Sequence, residues 1–316
     1  MNDIYSYRSK AYNLLNQFQL VMSPSELRTF HQKVMECGKN EFEYLISELN
    51  KKDQLVMELV KQRLENEGLL SLEEVMQRVL GFGYFQTEGF SCLCSNLNSN
   101  NKRRSSLGAR ANFILSFYDF LVDSDLIRII EAHEFDNLLR NNKPFYSPLI
   151  LFYRKENCER MIEMLVKNFR EGVSASLKDK EQNDLFTIIL MACKIQNSIT
   201  KPANTSYEKL EEKSIYPFLI LAYISQQTPL PSSVINWASD FGRLIGLVDD
   251  LSDYELDLLK NSPNGISDCF MKDSQGISHF EEKFIALLNR LFRTTNLTPS
   301  PIFTATINSW ISSWNI

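Results

Sequence analysis

The stretch Trp237–Asn264, WASDFGRLIGLVDDLSDYELDLLKNSPN, constrains this chain more than any other. Placed at 100° per residue, it predicts one amphipathic helix. Phe241, Leu244, Ile245, Val248, Leu251, Ser252 and Leu256 make a mostly apolar face. Asp249, Asp253 and Asp257 recur at i, i+4 and i+8 on the other face, within about 80° of arc. Asp250 lies at the edge of that arc and Glu255 points elsewhere; Gly242, Gly246 and Lys260 fall on it. Stacked carboxylates repel one another, and near a helix C-terminus they oppose its dipole. Bound divalent cations would remove both penalties, and hard Mg²⁺ takes carboxylate oxygens together with water and phosphate. Each glycine costs about 1 kcal/mol relative to alanine in a helix. A bulky group passing over that face accounts for them; so does close helix packing. The competing reading of the acids is a solvated charged face.

A second stretch, Ala111–Ile127, predicts another apolar helix that carries acids. Asp119 and Asp123 are i, i+4 and share a face with Asn112 and Ser116, whereas Asp125 points away. Asp119 stands among Phe113, Phe117, Tyr118, Phe120 and Leu121, and an acid in such company requires a partner or a metal. The alternative is an acid pair at the rim of a core helix.

Helical periods dominate the 316 residues, glycine is scarce at 11, and strand-like alternation is hard to find. The fold class expected is all-α, as a single domain over residues 1–316. A net charge of −5 leaves no basic footprint, so nucleic acid is not an expected partner. The six cysteines lack zinc-site spacing and the N-terminus lacks a signal-peptide profile. The longest apolar run, Ile215–Ile224, is about half a membrane span, so a cytoplasmic chain with no transmembrane segment is expected. Glycines and polar residues between 81 and 108 interrupt the helical pattern. Residues 96–106 read as an exposed loop whose Lys102, Arg103 and Arg104 could approach an anion. Pro217 inside the helical stretch Tyr207–Ile224 frees the carbonyl of Lys213. Ser232 and Ser233 are candidate caps for the acid helix. Residues past Lys260 read as loop, a sensible place for a mobile lid.

The two acid stretches together resemble the class I isoprenoid (terpenoid) synthases. Asp249-Asp250-Leu251-Ser252-Asp253 has the D-D-x-x-D form of the second aspartate-rich motif of polyprenyl diphosphate synthases. In the terpene-cyclase register N/D-D-x-x-S/T-x-x-x-E, the metal positions are Asp249, Asp253 and Asp257, with Asp where the pattern has Ser and Glu. The first motif, Asp119-x-x-x-Asp123, has Tyr at 118. It is closer to the D-x-x-x-D of squalene or phytoene synthases and atypical bacterial terpene synthases than to the intact motif of chain-elongating enzymes. The squalene-type second motif is absent, as is a clear Arg-Tyr pair near the C-terminus.

The resemblance implies a helical bundle around a central cavity, with three Mg²⁺ held by Asp119, Asp123, Asp249, Asp250, Asp253 and Asp257. It assigns catalysis to Asp119, Asp123, Asp249 and Asp253, and diphosphate binding to Lys213, Lys260 and Arg243. Lys213-Ser214 is similar to the diphosphate-binding Lys-Thr/Ser of prenyl synthases, with Lys209 the next candidate. The implied substrate is an allylic prenyl diphosphate, ionised to give a cyclic or linear terpene. Phe113, Phe117, Tyr118, Phe120 and Phe241 are the rings available to shield the carbocation. Chain elongation with isopentenyl diphosphate is the alternative, although Arg128 is solitary where elongating enzymes carry paired arginines. A non-catalytic helical protein that retains the fold is a further alternative. A homodimer is compatible with either.

Overall fold

The periodicity resolves into thirteen α-helices and one π-helical turn among the described residues, with no strand. The structure is a computed structural model that describes residues 3–66, 71–93, 101–145, 153–199, 206–226 and 229–314. The helices are α1 (Ile4–Gln17), α2 (Pro24–Glu48), α3 (Lys51–Asn66), α4 (Leu72–Leu93), α5 (Asn101–Asp123), α6 (Ala132–Asn141) and α7 (Tyr153–Ser176). They continue as α8 (Asp179–Ile199), α9 (Tyr207–Ser225), α10 (Ser232–Ser252), α11 (Tyr254–Lys260), α12 (Gly276–Phe292) and α13 (Pro301–Ile311). The π turn is Ile266–Phe270. None of these helices is long and apolar enough to cross a membrane.

Local chemistry explains several starts. Ser23 and Glu26 close a capping box ahead of α2, with Pro24 in its first turn. Ser300 caps α13 in front of Pro301. The seryl cap foreseen for α10 does not form: Pro231 occupies the cap position and Ser232 is already helical.

Two sequence expectations fail in the middle of the chain. The glycine-rich segment 81–90 lies inside α4, and Asn101 to Ser106 are the first residues of α5. Glycine is needed there for close approach. A Cβ on Gly83 would lie 2.6 Å from Asn112 Cβ and 2.9 Å from the Gly108 carbonyl, so α4 and α5 cross nearly backbone to backbone. Arg104 is not at a loop tip but 6 % exposed; it donates to the carbonyls of Ile224 and Gln226 at the end of α9. α7 runs through Gly172 to Ser176.

The apolar residues form two cores. One is built from α2 to α8 and holds all the buried apolar residues of α5, from Leu107 to Leu121. The other is built from α1, the C-terminal end of α4, α10, the π turn, α12 and α13 and holds all those of α10. α9 feeds both: Ile220 and Ile224 go to the first, Phe218, Leu221 and Ala222 to the second. It packs against α10, α8, α5 and α4. The two acid-bearing helices therefore belong to different cores, with α9 along the seam.

Candidate active site

The acid helix is not one rod. α10 ends at Ser252, α11 starts at Tyr254, and Asp253 between them has φ −95° and ψ 5°. Two backbone bonds of 2.8 Å cross the break, from Asp253 N–H to Asp249 O and from Asp257 N–H to Asp253 O. They preserve the i, i+4, i+8 succession of the three carboxylates. The bulky object that the glycine pair admits is α9 itself. A Cβ on Gly242 would sit 2.5 Å from the Ser214 carbonyl and 2.8 Å from Ile215 Cα; one on Gly246 would strike the Ser214 side chain. Because both positions are bare, α9 lies against α10 and carries Lys213 to the acids.

Lys213 Nζ lies 3.2 Å from Asp119 Oδ1 on α5. Both side chains are about one-third exposed, so Asp119 is not entombed among its aromatic neighbours. Gln196 from α8 also donates to Asp119 Oδ1. Asp249 Oδ1 accepts from the indole N–H of Trp310 at 2.7 Å, and Asp257 Oδ2 from Asn264 Nδ2 at 2.9 Å. Asp250 takes a different direction: its Oδ2 accepts from Gly265 N–H at 3.1 Å. Arg243 is held by Asp240 at 3.0 Å and approaches Glu211 at 3.7 Å, so the guanidinium is committed outside the cluster to which the sequence reading assigned it.

The charges define one site. Burial and then Asp119 push the Asp123 carboxyl up; Asp257 on the opposite ledge pushes it the same way, while Lys213 and Lys260 pull it down. Burial and then Asp253 raise Asp249 to about 6. Burial raises Asp250 well above the usual carboxylate range, with Asp249 adding to it, and burial also raises Asp253 and Asp257. Burial works against the charge on Lys213, yet Asp119, Asp123 and Asp249 hold its pKa above the ordinary lysine value. Asp249, in the last turn of α10, and Ser116, mid-way along α5, both have exposed side chains.

Of the rings foreseen, Phe113, Phe117, Tyr118 and Phe241 are buried, at 1 %, 4 %, 4 % and 0 % exposure, and Phe120 is half-buried. Half-buried Trp310 is joined to Asp249 by its indole N–H, with the Phe82 ring centroid 6.0 Å from its own. An apolar hollow lies among α5, α6, α7, α8 and α9, lined by Leu115, Tyr118, Phe135, Ile189, Cys193 and Ile220 among others. Leu115 is one turn before Asp119, Cys193 one turn before Gln196 and Ile220 two turns after Lys213. The lid expected past Lys260 is a folded segment. Asn264, fully buried, donates to Asp250 O at 2.8 Å as well as to Asp257, and its Oδ1 caps Ile266 and Ser267. Trp310, Gln196 and Asn264 join the site only through folding; no local pattern in the sequence sets them apart from their neighbours.

The donor set fits divalent cations that prefer oxygen. Facing carboxylates exceed the two lysines among them, and their protonation is raised by burial and mutual repulsion. Among the described residues no three acid, histidine or cysteine side chains form a closed chelate. Mg²⁺ commonly takes one or two carboxylates and leaves its other positions to water and phosphate oxygens, which is what open ledges offer. The chain matches no family model, no curated protein and no solved structure.

Proposed function

We propose that this protein is a Mg²⁺-dependent class I terpene synthase, acting in the cytoplasm on an allylic prenyl diphosphate and releasing diphosphate as a cyclic or linear terpene forms. One observation carries the reading: Lys213 pairs with Asp119 of the first ledge at 3.2 Å, on the helix that Gly242 and Gly246 seat against the acid-bearing α10. Two acid motifs distant in sequence thus flank one lysine-bearing helix. Asp119 and Asp123 on one side, and Asp249, Asp253 and Asp257 on the other, would hold the metal. Bound Mg²⁺ supplies Lewis-acid stabilisation of charge on the departing diphosphate.

The chain's own groups do the rest. Lys213 places an ammonium at the mouth, where a diphosphate oxygen can replace Asp119 as its partner. Lys260, attracted to Asp123, Asp253 and Asp257, adds a second positive charge at the rim. Trp310 holds Asp249 by its N–H and sets a ring beside the second ledge, where cation–π attraction is worth about 1–2 kcal/mol per ring for a desolvated carbocation. The apolar residues Leu115, Ile189, Cys193 and Ile220 offer an isoprenoid chain a dry surface.

Incubation with prenyl diphosphates of several lengths and Mg²⁺, read by mass spectrometry, tests this. Hydrocarbon or alcohol from one allylic substrate alone, lost in Asp253→Ala, is the expected result. Product formed only when isopentenyl diphosphate is added would establish chain elongation. No metal-dependent diphosphate release from any substrate would leave a non-catalytic helical protein.

A further inference from the structure

Arg8 of α1 is 6 % exposed, and a guanidinium so buried is retained only where acceptors surround it. Its Nε donates to Leu251 O at 2.9 Å, across 243 residues of sequence, and Nη2 reaches Ser252 O at 3.5 Å. Nη1 and Nη2 grip Glu255 Oε1 and Oε2 at 2.9 and 2.6 Å. A two-point pair of this kind fixes orientation as well as distance. The acceptors straddle Asp253: two close α10 and one opens α11. Glu255 lies two residues from Asp253 and two from Asp257, so it projects from roughly the opposite side of α11, about 200° away. Holding Glu255 sets the roll of α11 about its axis, and the roll decides where Asp253 and Asp257 point. None of the residues of α11 is buried; Tyr254 packs partly on the second core and Asn264 holds Asp257, and Arg8 is the anchor on the opposite side.

We propose that Arg8 is a positioning residue for the second acid ledge, and that α1 is the strut through which the N-terminal end of the chain aims Asp253 and Asp257. The inference rests on reading the ledges as a metal and diphosphate site. Arg8 and Glu255 touch neither ligand.

Mn²⁺ binding to the full chain, followed by loss of the free-ion electron paramagnetic resonance signal with and without inorganic pyrophosphate, tests both levels separately. Arg8→Lys keeps the charge and removes the fork; Glu255→Ala removes its target at a side chain that is 55 % exposed and so tolerates truncation. Both are expected to weaken Mn²⁺ binding about 10-fold or more, as loss of a group orienting metal ligands does. The loss should persist at high salt, which screens the charge of Glu255 itself, and Glu255→Ala should melt close to the wild type. Wild-type affinity in Glu255→Ala overturns the proposal, even if Arg8→Lys is unstable. If the wild type binds no Mn²⁺ with pyrophosphate, or Asp253→Asn binds as the wild type does, the site reading itself falls and the strut with it.

Discussion

Asp249 and Lys213 report the site's electrostatics from opposite signs. Asp249 is raised to about 6 from an ordinary 3.8, by burial and then by Asp253. An acid whose folded pKa exceeds its unfolded one binds more protons in the native state between those two values. Stability is then fullest below about 4 and declines as pH rises through about 6. Asp123, Asp253 and Asp257 are raised too and act in the same direction. In EDTA, thermal melts should therefore show a higher Tm at pH 5 than at pH 7.5. Asp249→Asn should raise the pH 7.5 value and flatten the difference, and excess Mg²⁺ should do the same to the wild type. A Tm that rises steadily from pH 5 to 7.5 without metal would contradict the repulsive cluster. Lys213→Ala removes the attraction that holds Asp119 and should lower Tm at pH 7.5 in EDTA. It should also reduce turnover about 100-fold or more, the scale on which a donor to developing negative charge matters. Lys213→Arg should recover part of the turnover, read by diphosphate release.

At the scale of elements, the contact between α9 and α10 determines whether Lys213 reaches the acids at all. Gly242→Ala drives a Cβ toward the Ser214 carbonyl at 2.5 Å, and backbone cannot swing aside. About 1–3 kcal/mol of destabilisation is expected, measured by urea unfolding, with weaker Mg²⁺-dependent turnover. The obstacle at Gly246 is the Ser214 side chain, so Ser214→Gly should relieve Gly246→Ala but not Gly242→Ala. Additive losses in the Gly246/Ser214 double-mutant cycle would show that the two positions do not meet. The acid spacing was legible in the sequence because i, i+4 succession is local, and the lysine-serine step before Pro217 was legible for the same reason. The break at Asp253 was not, since it is set against partners such as Arg8, 243 residues from Leu251. Glycines 81 and 83 misled for a related reason: their missing Cβ atoms mark where another helix backbone passes, and no single stretch carries that information. Trp310 reads as core in its own helix, and only its arrival beside Asp249 makes it part of the site.

For the whole molecule, the seam between two cores has a thermodynamic consequence. α5 belongs to one core, α10 to the other, and α9 contributes apolar residues to both. Without cations, like-charged ledges push those cores apart across the gap while α9 ties them together. Mg²⁺ with inorganic pyrophosphate would replace that repulsion by bridges from both ledges to one ligand. Ligand that binds only the native state adds about 2.7 kcal/mol at 100 times its Kd. For a domain of this size the rise in Tm is on the order of 5 °C. The distribution of the effect is more diagnostic than its size. Hydrogen exchange should slow at the C-terminal end of α5, the first turns of α9, and α10 with α11, and so in helices of both cores at once. It should change little in α3, which packs mainly on α7 and α4. Protection confined to α10 and α11 would mean that ions bind the second ledge alone, and the two faces would then be neighbours that never share a ligand. Protection that appears on both sides only when Mg²⁺ and pyrophosphate are present together is the outcome that two facing carboxylate ledges require.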